Sequence, residues 1–154
     1  MYRRTFLYRS SGLMISVAAG LSPVRAANST ADRIGMGTVI FRNRFEQTKP
    51  KTLTERQDPL TLLMVPAYYR KRFEIRNLEF WSKHFESLEL PYLRELRGRI
   101  EAAGAELINI QVDEAYDLAS ANEEDRQRSL ETARKWIDAA AVLGSRAVRV
   151  NPGR

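Results

Sequence analysis

The chain has 154 residues and no cysteine, which excludes disulfides, thiolate zinc sites and a cysteine nucleophile. Its 44% hydrophobic and 29% charged residues suit one globular domain, and the sequence shows no low-complexity segment and no internal repeat at a fixed period. The net charge of +6 is unevenly spread: Arg3, Arg4, Arg9 and Arg25 lie in an acid-free leader, without them the charge falls to +2, and the remaining basic residues alternate with acids, so no nucleic-acid partner is expected.

Residues 1–26 have the parts of an export signal. Arg3-Arg4-Thr5-Phe6-Leu7 is followed by the apolar run Gly12 to Leu21, then Pro23 and the small-residue site Val24-Arg25-Ala26. The Arg-Arg-x-Phe-Leu order resembles a bacterial twin-arginine signal, so the expected location is periplasmic or otherwise exported. The apolar run is far shorter than the roughly 20 residues that cross a bilayer, so no stable membrane span is expected. Residues 27–33 read as a polar linker, and the globular domain is expected over 34–154.

Ile34-Gly-Met-Gly-Thr-Val-Ile-Phe41 reads as a first strand, and Arg42 to Arg56 as a long loop. Asp58-Pro59 has the form of a helix start, and Pro66 predicts either two short helices or one that restarts there. Tyr68, Tyr69 and Phe73 would supply the packing surface. A second strand falls within Phe73-Glu-Ile-Arg-Asn-Leu-Glu-Phe-Trp81. A loop carrying the only histidine, His84, leads to a helix that opens at Pro91 and ends before Gly104, with Leu93, Leu96, Ile100 and Ala103 as its apolar stripe. The third strand is Leu107 to Asp113. Asn122 or Ser120 would cap the next helix, whose stripe is Leu130, Ala133, Ile137 and Ala140 or Ala141, and which ends at Gly144. Glu123, Glu124 and Asp125 suit the positive end of that helix dipole, and Arg70, Lys71 and Arg72 the negative end of an earlier one. The fourth strand is Arg146 to Asn151.

Alternation gives these strands two unlike faces. Leu78 and Phe80 oppose Asn77 and Glu79; Ile108, Ile110 and Val112 oppose Asn109, Gln111 and Asp113; Val148 and Val150 oppose Arg149 and Asn151. The order is βαβαβαβ, an α/β fold with four parallel strands. One helix-covered face and one polar face fit half of a (β/α)8 TIM barrel better than an open doubly wound sheet, whose two faces would both be apolar.

Ile34-Gly-Met-Gly-Thr, Phe73 to Trp81, Ala105 to Asp113 and Leu143-Gly-Ser-Arg-Ala-Val-Arg-Val-Asn-Pro-Gly153 resemble the sugar phosphate isomerase/epimerase family of xylose-isomerase-like barrels. The resemblance covers residues 34–154 and implies the N-terminal half of such a barrel, from a truncated, split or frameshifted reading frame. Family members hold a divalent metal on strands five to eight. The resemblance therefore implies a metal only for a full-length member, and assigns no cofactor and no metal ligand to this chain. It implies substrate-binding roles for Glu79, Asn109, Gln111, Asp113, Arg149 and Asn151, around a sugar-like small molecule. The expected function is an exported isomerase/epimerase-like protein, inactive alone; whether the chain is an enzyme stays open. The alternative is a half-barrel module that assembles with itself or with a separate second half.

Glu79, Gln111 and Arg149 are expected in one layer, either as a cradle for hydroxyls or as a solvated face on which Glu79 neutralises Arg149. Asp113 could be a general base or could bind a loop amide. His84 reads as an ordinary surface residue, and Trp81, Tyr68 and Trp136 as packing residues.

Overall fold

The computed structural model describes residues 30–53, 58–114 and 117–153. The export signal read at 1–26 lies outside the described residues. A short 3-10 turn, Thr30–Arg33, precedes the first strand.

The described chain is a four-stranded, all-parallel sheet in the order β1-β2-β3-β4, where β1 is Gly35–Gly37, β2 Asn77–Trp81, β3 Glu106–Val112 and β4 Val148–Val150. Three α-helices connect the strands: α1 (Val65–Phe73), α2 (Leu90–Ala102) and α3 (Glu123–Leu143). Sequential neighbours joined by right-handed crossovers put every helix on one face. Here α2 packs between α1 and α3. This is the α/β half-barrel arrangement that the alternation implies. No helix among the described residues is long and apolar enough to cross a membrane.

Local chemistry explains the helix ends. Asn122 caps α3 by accepting the backbone N–H groups of Glu124 (2.9 Å) and Asp125 (3.3 Å), a contact worth about 1 kcal/mol. Gly144 follows α3 with φ +72, a left-handed conformation that a side chain would strain. Pro66 sits in the first turn of α1, where no N–H is needed.

The core lies between sheet and helices. Leu78, Phe80, Leu107, Ile110 and Val112 meet Tyr69, Leu93, Leu96, Ile100, Trp136 and Leu143. Phe85 sits edge-on to both Phe80 (6.1 Å) and Trp136 (5.0 Å), an attractive ring geometry.

Several expectations are corrected. The strand expected over Ile34–Phe41 is only Gly35–Gly37, because the chain turns into a 3-10 segment at Thr38–Arg44. That segment brings Phe41 onto Tyr68, Tyr69 and Phe73. Of the loop expected over Arg42–Arg56, Arg42–Arg44 belong to that segment, Phe45 is fully buried, and 54–56 lie outside the described residues. Asp58 caps no helix; its carbonyl accepts from Arg44 Nε at 2.6 Å, and the helix starts at Val65. The second strand starts only at Asn77, while Phe73 packs as the last residue of α1, as its place in the helix packing surface implies.

The expected α3 stripe holds at Ala140 but is otherwise displaced by one position. Ser129, Trp136, Ala139, Ala140 and Leu143 are the buried residues, while Leu130 and Ile137 are 39% and 55% exposed. At 100° per residue, Ala133, Ile137, Leu130 and Ala141 form a second apolar strip beside the buried one. Lys135, Asp138 and Val142 occupy the other flank, beside Leu90 and Leu93 of α2. The second strip therefore looks away from α2, toward the side of β4.

Simple alternation also fails once in β3. Leu78 pairs with Leu107 but Glu79 pairs with Asn109, so Ile108 is an extra residue. This β-bulge puts Leu107 into the core and turns Ile108 off the face of Ile110 and Val112. Its Cδ1 lies only 2.8 Å from where a Cβ on Gly35 would stand, so the glycine of β1 makes room for it.

Candidate functional site

The sheet face away from the helices carries Glu79, Asn109, Gln111, Asp113, Arg149 and Asn151, as the alternation implies. The strand register decides how they group. Strand register gives one row of Gly37, Glu79 and Asn109 and a second of Trp81, Gln111 and Arg149. Glu79 is thereby one step away from Gln111 and Arg149, and the expected single layer of the three is not formed.

In the first row, Asn109 Nδ2 donates to Glu79 Oε2 at 2.7 Å. Glu79 Oε1 points the other way, over β1, 3.1 Å from where a Cβ on Gly37 would stand. Gly37 thus leaves the space that this carboxylate uses. Glu79 does not neutralise Arg149, whose partner is Asp113.

The second row is organised by Asp113 at the C-terminal end of β3. Its Oδ2 accepts from Trp81 Nε1 (2.7 Å) and Gln111 Nε2 (2.9 Å). Its Oδ1 accepts from Arg149 (3.2 Å) and Asn151 Nδ2 (3.1 Å). Its backbone N–H donates to Ser82 Oγ at 3.1 Å, which anchors the strand end to the turn after β2. Burial raises the carboxyl pKa, but the hydrogen bonds from Gln111 and Trp81, the Arg149 charge and the Asn151 amide outweigh it and hold Asp113 below the usual carboxylate range. A carboxylate so occupied is a poor general base and a strong organiser of the groups around it.

Asn77, at the other end of β2, is used structurally. Its amide donates to the carbonyls of Asp32 (2.7 Å) and Ile34 (3.3 Å), holding the chain that leads into β1.

Sequence reasoning missed two roles. Trp81 packs as expected, edge-on to His84 at 5.0 Å, and also supplies the shortest bond to Asp113; its parity with Asn77 and Glu79 is the signal for the second role. His84, read as a surface residue, is fully buried and stacked on Phe45 at 3.7 Å. No sequence signal marked it, because its burial depends on a fold-back of residues 38–48. Trp136 and Tyr68 do pack, against Phe85 and against the ring cluster of α1.

No group of three or more His, Asp or Glu side chains is placed to hold a metal ion among the described residues. The donor chemistry agrees: Asp113 is occupied by four N–H groups, and the face's other carboxylate, Glu79, stands a row away. These residues do not fit the divalent metal that the family resemblance implies for a full-length member. They offer instead an exposed guanidinium, a half-occupied carboxylate and amide groups, a set suited to hydroxyl and anionic oxygen atoms.

No protein-family model matches the chain, and no curated protein matches it.

Proposed function

We propose that the polar face is the floor of an exported, sugar phosphate isomerase/epimerase-like barrel, and that it binds a sugar-like molecule without turning it over by itself. The observation that carries this reading is the pair of rows at the C-terminal strand ends, with Glu79 and Asn109 in one and the Asp113 cluster in the other. Ligand sites of parallel α/β barrels lie at that end. Glu79 Oε1 accepts a sugar hydroxyl, Asn109 fixes the carboxylate, and Arg149 meets an anionic substituent. Any proton or hydride movement at a sugar carbon would need a divalent metal from the other half of a barrel, to polarise the oxygens.

Calorimetric titration of the full chain with a hexose 6-phosphate, and with the parent hexose, tests this. Saturable binding that Glu79→Gln weakens at least tenfold is the expected result. No binding of either compound by a folded chain overturns it.

A second reading rests on the flank of α3. β1 and β4 are outer strands among the described residues, and the apolar strip of Leu130, Ala133, Ile137 and Ala141 lies on the β4 side. We infer that this edge takes up a second half-barrel, either another copy or a separate chain, through parallel strand pairing and apolar helix contact. Light scattering on the purified chain tests the first of these: a dimer that Ile137→Glu dissociates is the expected result for another copy, and a concentration-independent monomer rules that copy out.

A further inference from the structure

His84 is the chain's single histidine, and it is fully buried although it stands in the turn Ser82–His84 at the rim of the polar face. Four groups enclose its ring. Phe45 stacks parallel to it at 3.7 Å, and Trp81 meets it edge-on at 5.0 Å. Thr38 Oγ1 lies 2.9 Å from Nδ1, and Thr48 Oγ1 lies 3.0 Å from Nε2.

Proton counting fixes the state of the ring. The Thr48 hydroxyl has one hydrogen and gives it to the Arg42 carbonyl at 2.7 Å. Toward His84 it can only accept, so Nε2 carries the ring proton. Nδ1 is then the bare nitrogen and accepts from the Thr38 hydroxyl. The Thr38 oxygen in turn accepts the backbone N–H of Trp81 at 3.0 Å. In this one neutral tautomer, each of these donors has an acceptor. A second ring proton would turn an N–H against the Thr38 hydroxyl and leave that hydroxyl's own hydrogen without an acceptor in a buried site.

Most charged groups along the same elements are engaged elsewhere. Lys49 pairs with Glu46, Lys83 with Glu114, and Arg44 with the Tyr68 hydroxyl and the Asp58 carbonyl, while Arg42 is exposed and offers its backbone oxygen to Thr48. The Asp113 carboxylate meets Trp81 Nε1 on the far side of the indole, and its backbone N–H meets Ser82 Oγ.

We propose that His84 is a pH-operated clasp: its neutral ring ties residues 38–48 to the turn Ser82–His84, and its protonation releases them. Both neighbours of the clasp touch Asp113, Trp81 through its indole and Ser82 through its hydroxyl, so opening also loosens the second row of the polar face. Burial lowers the imidazole pKa from 6.5 to about 4 in the closed form. An opened, solvated ring would titrate near the ordinary value. The inference does not depend on what the polar face binds.

Long-range proton–nitrogen NMR of the full chain gives one imidazole pattern, because there is one histidine. The expected pattern is the Nε2–H tautomer with a midpoint near 4. Hydrogen exchange at amides of residues 42–49, corrected for intrinsic rates, is expected to show opening that rises about tenfold per pH unit from about 6 down to 4.5. His84→Gln keeps a donor for Thr48 and an acceptor for Thr38, so it should stay closed throughout that range. An Nδ1–H tautomer, a midpoint between 6 and 7, or the same pH dependence in His84→Gln overturns the proposal. If that variant fails to fold, the tautomer and midpoint of the unaltered chain still decide.

Discussion

Trp81 Nε1 donates to Asp113 Oδ2 at 2.7 Å, tying the end of β2 to the end of β3 across the polar face. The same carboxylate also gathers Gln111, Arg149 and Asn151, so side chains from three strands are held by one residue. Glu79 lies outside that cluster because it pairs with Asn109, two residues before the Trp81–Gln111 pair. The face is thus divided into a pre-organised cluster and a more open carboxylate.

Asp113→Asn should destabilise the fold by about 1–3 kcal/mol, since the new amide points hydrogens at donors that have lost their acceptor. Urea unfolding measures this. The acid limb gives a second check. A carboxyl held below its ordinary pKa contributes stability that is present above the ordinary value of 3.8 and lost as pH falls through the lower folded value. The variant should therefore lose less stability than the parent chain below pH 4.

Gly37→Ala should affect the site more than the fold. Its Cβ would press on Glu79 Oε1 at 3.1 Å, and a carboxylate end can swing away, so stability should change by less than about 1 kcal/mol. Ligand affinity should fall as it does for Glu79→Gln. Parallel thermal melts and calorimetric titrations separate the two effects.

Trp136→Ala and Ile137→Ala test the orientation of α3. The indole is buried against Phe85, so its removal should cost about 3–5 kcal/mol. Ile137 is 55% exposed, so its removal should cost about 0.5 kcal/mol or less in a monomer. Equal costs would mean that the helix is rotated toward the stripe expected from sequence.

Overall stability should also depend on His84. Its folded pKa is lowered, so the unfolded chain binds the extra proton first, and stability declines as pH falls from 6.5 toward 4. The full loss over that range is about 3 kcal/mol, from about 1.4 kcal/mol per pKa unit. Unfolding at stepped pH should show this slope in the parent chain and a flatter one in His84→Gln.

The parallel half-barrel was legible because strand alternation and helix spacing are strong periodic signals in β2, β3, α2 and α3. Its caps were legible too, since Asn122 and Gly144 answer to local backbone chemistry alone. The row structure of the site was not. One extra residue at Ile108 reverses the parity of everything before it in β3, and only the pairing with β2 reveals it. The α3 stripe was misplaced because this helix carries two adjacent apolar strips, and periodicity cannot say which of them meets the core. The burial of His84 depends on Phe45 and Thr48, which are distant in sequence and lie in a segment that reads as polar loop.

The most direct test of the central claim is a backbone and side-chain amide NMR titration of the full chain with a hexose 6-phosphate. Saturable shifts centred on the Asn109, Gln111 and Asn151 side-chain amides and the Trp81 indole, and weakened in Glu79→Gln, are the predicted result. Shifts confined to the grooves between helices, or none at a concentration that saturates the calorimetric signal, would contradict the account.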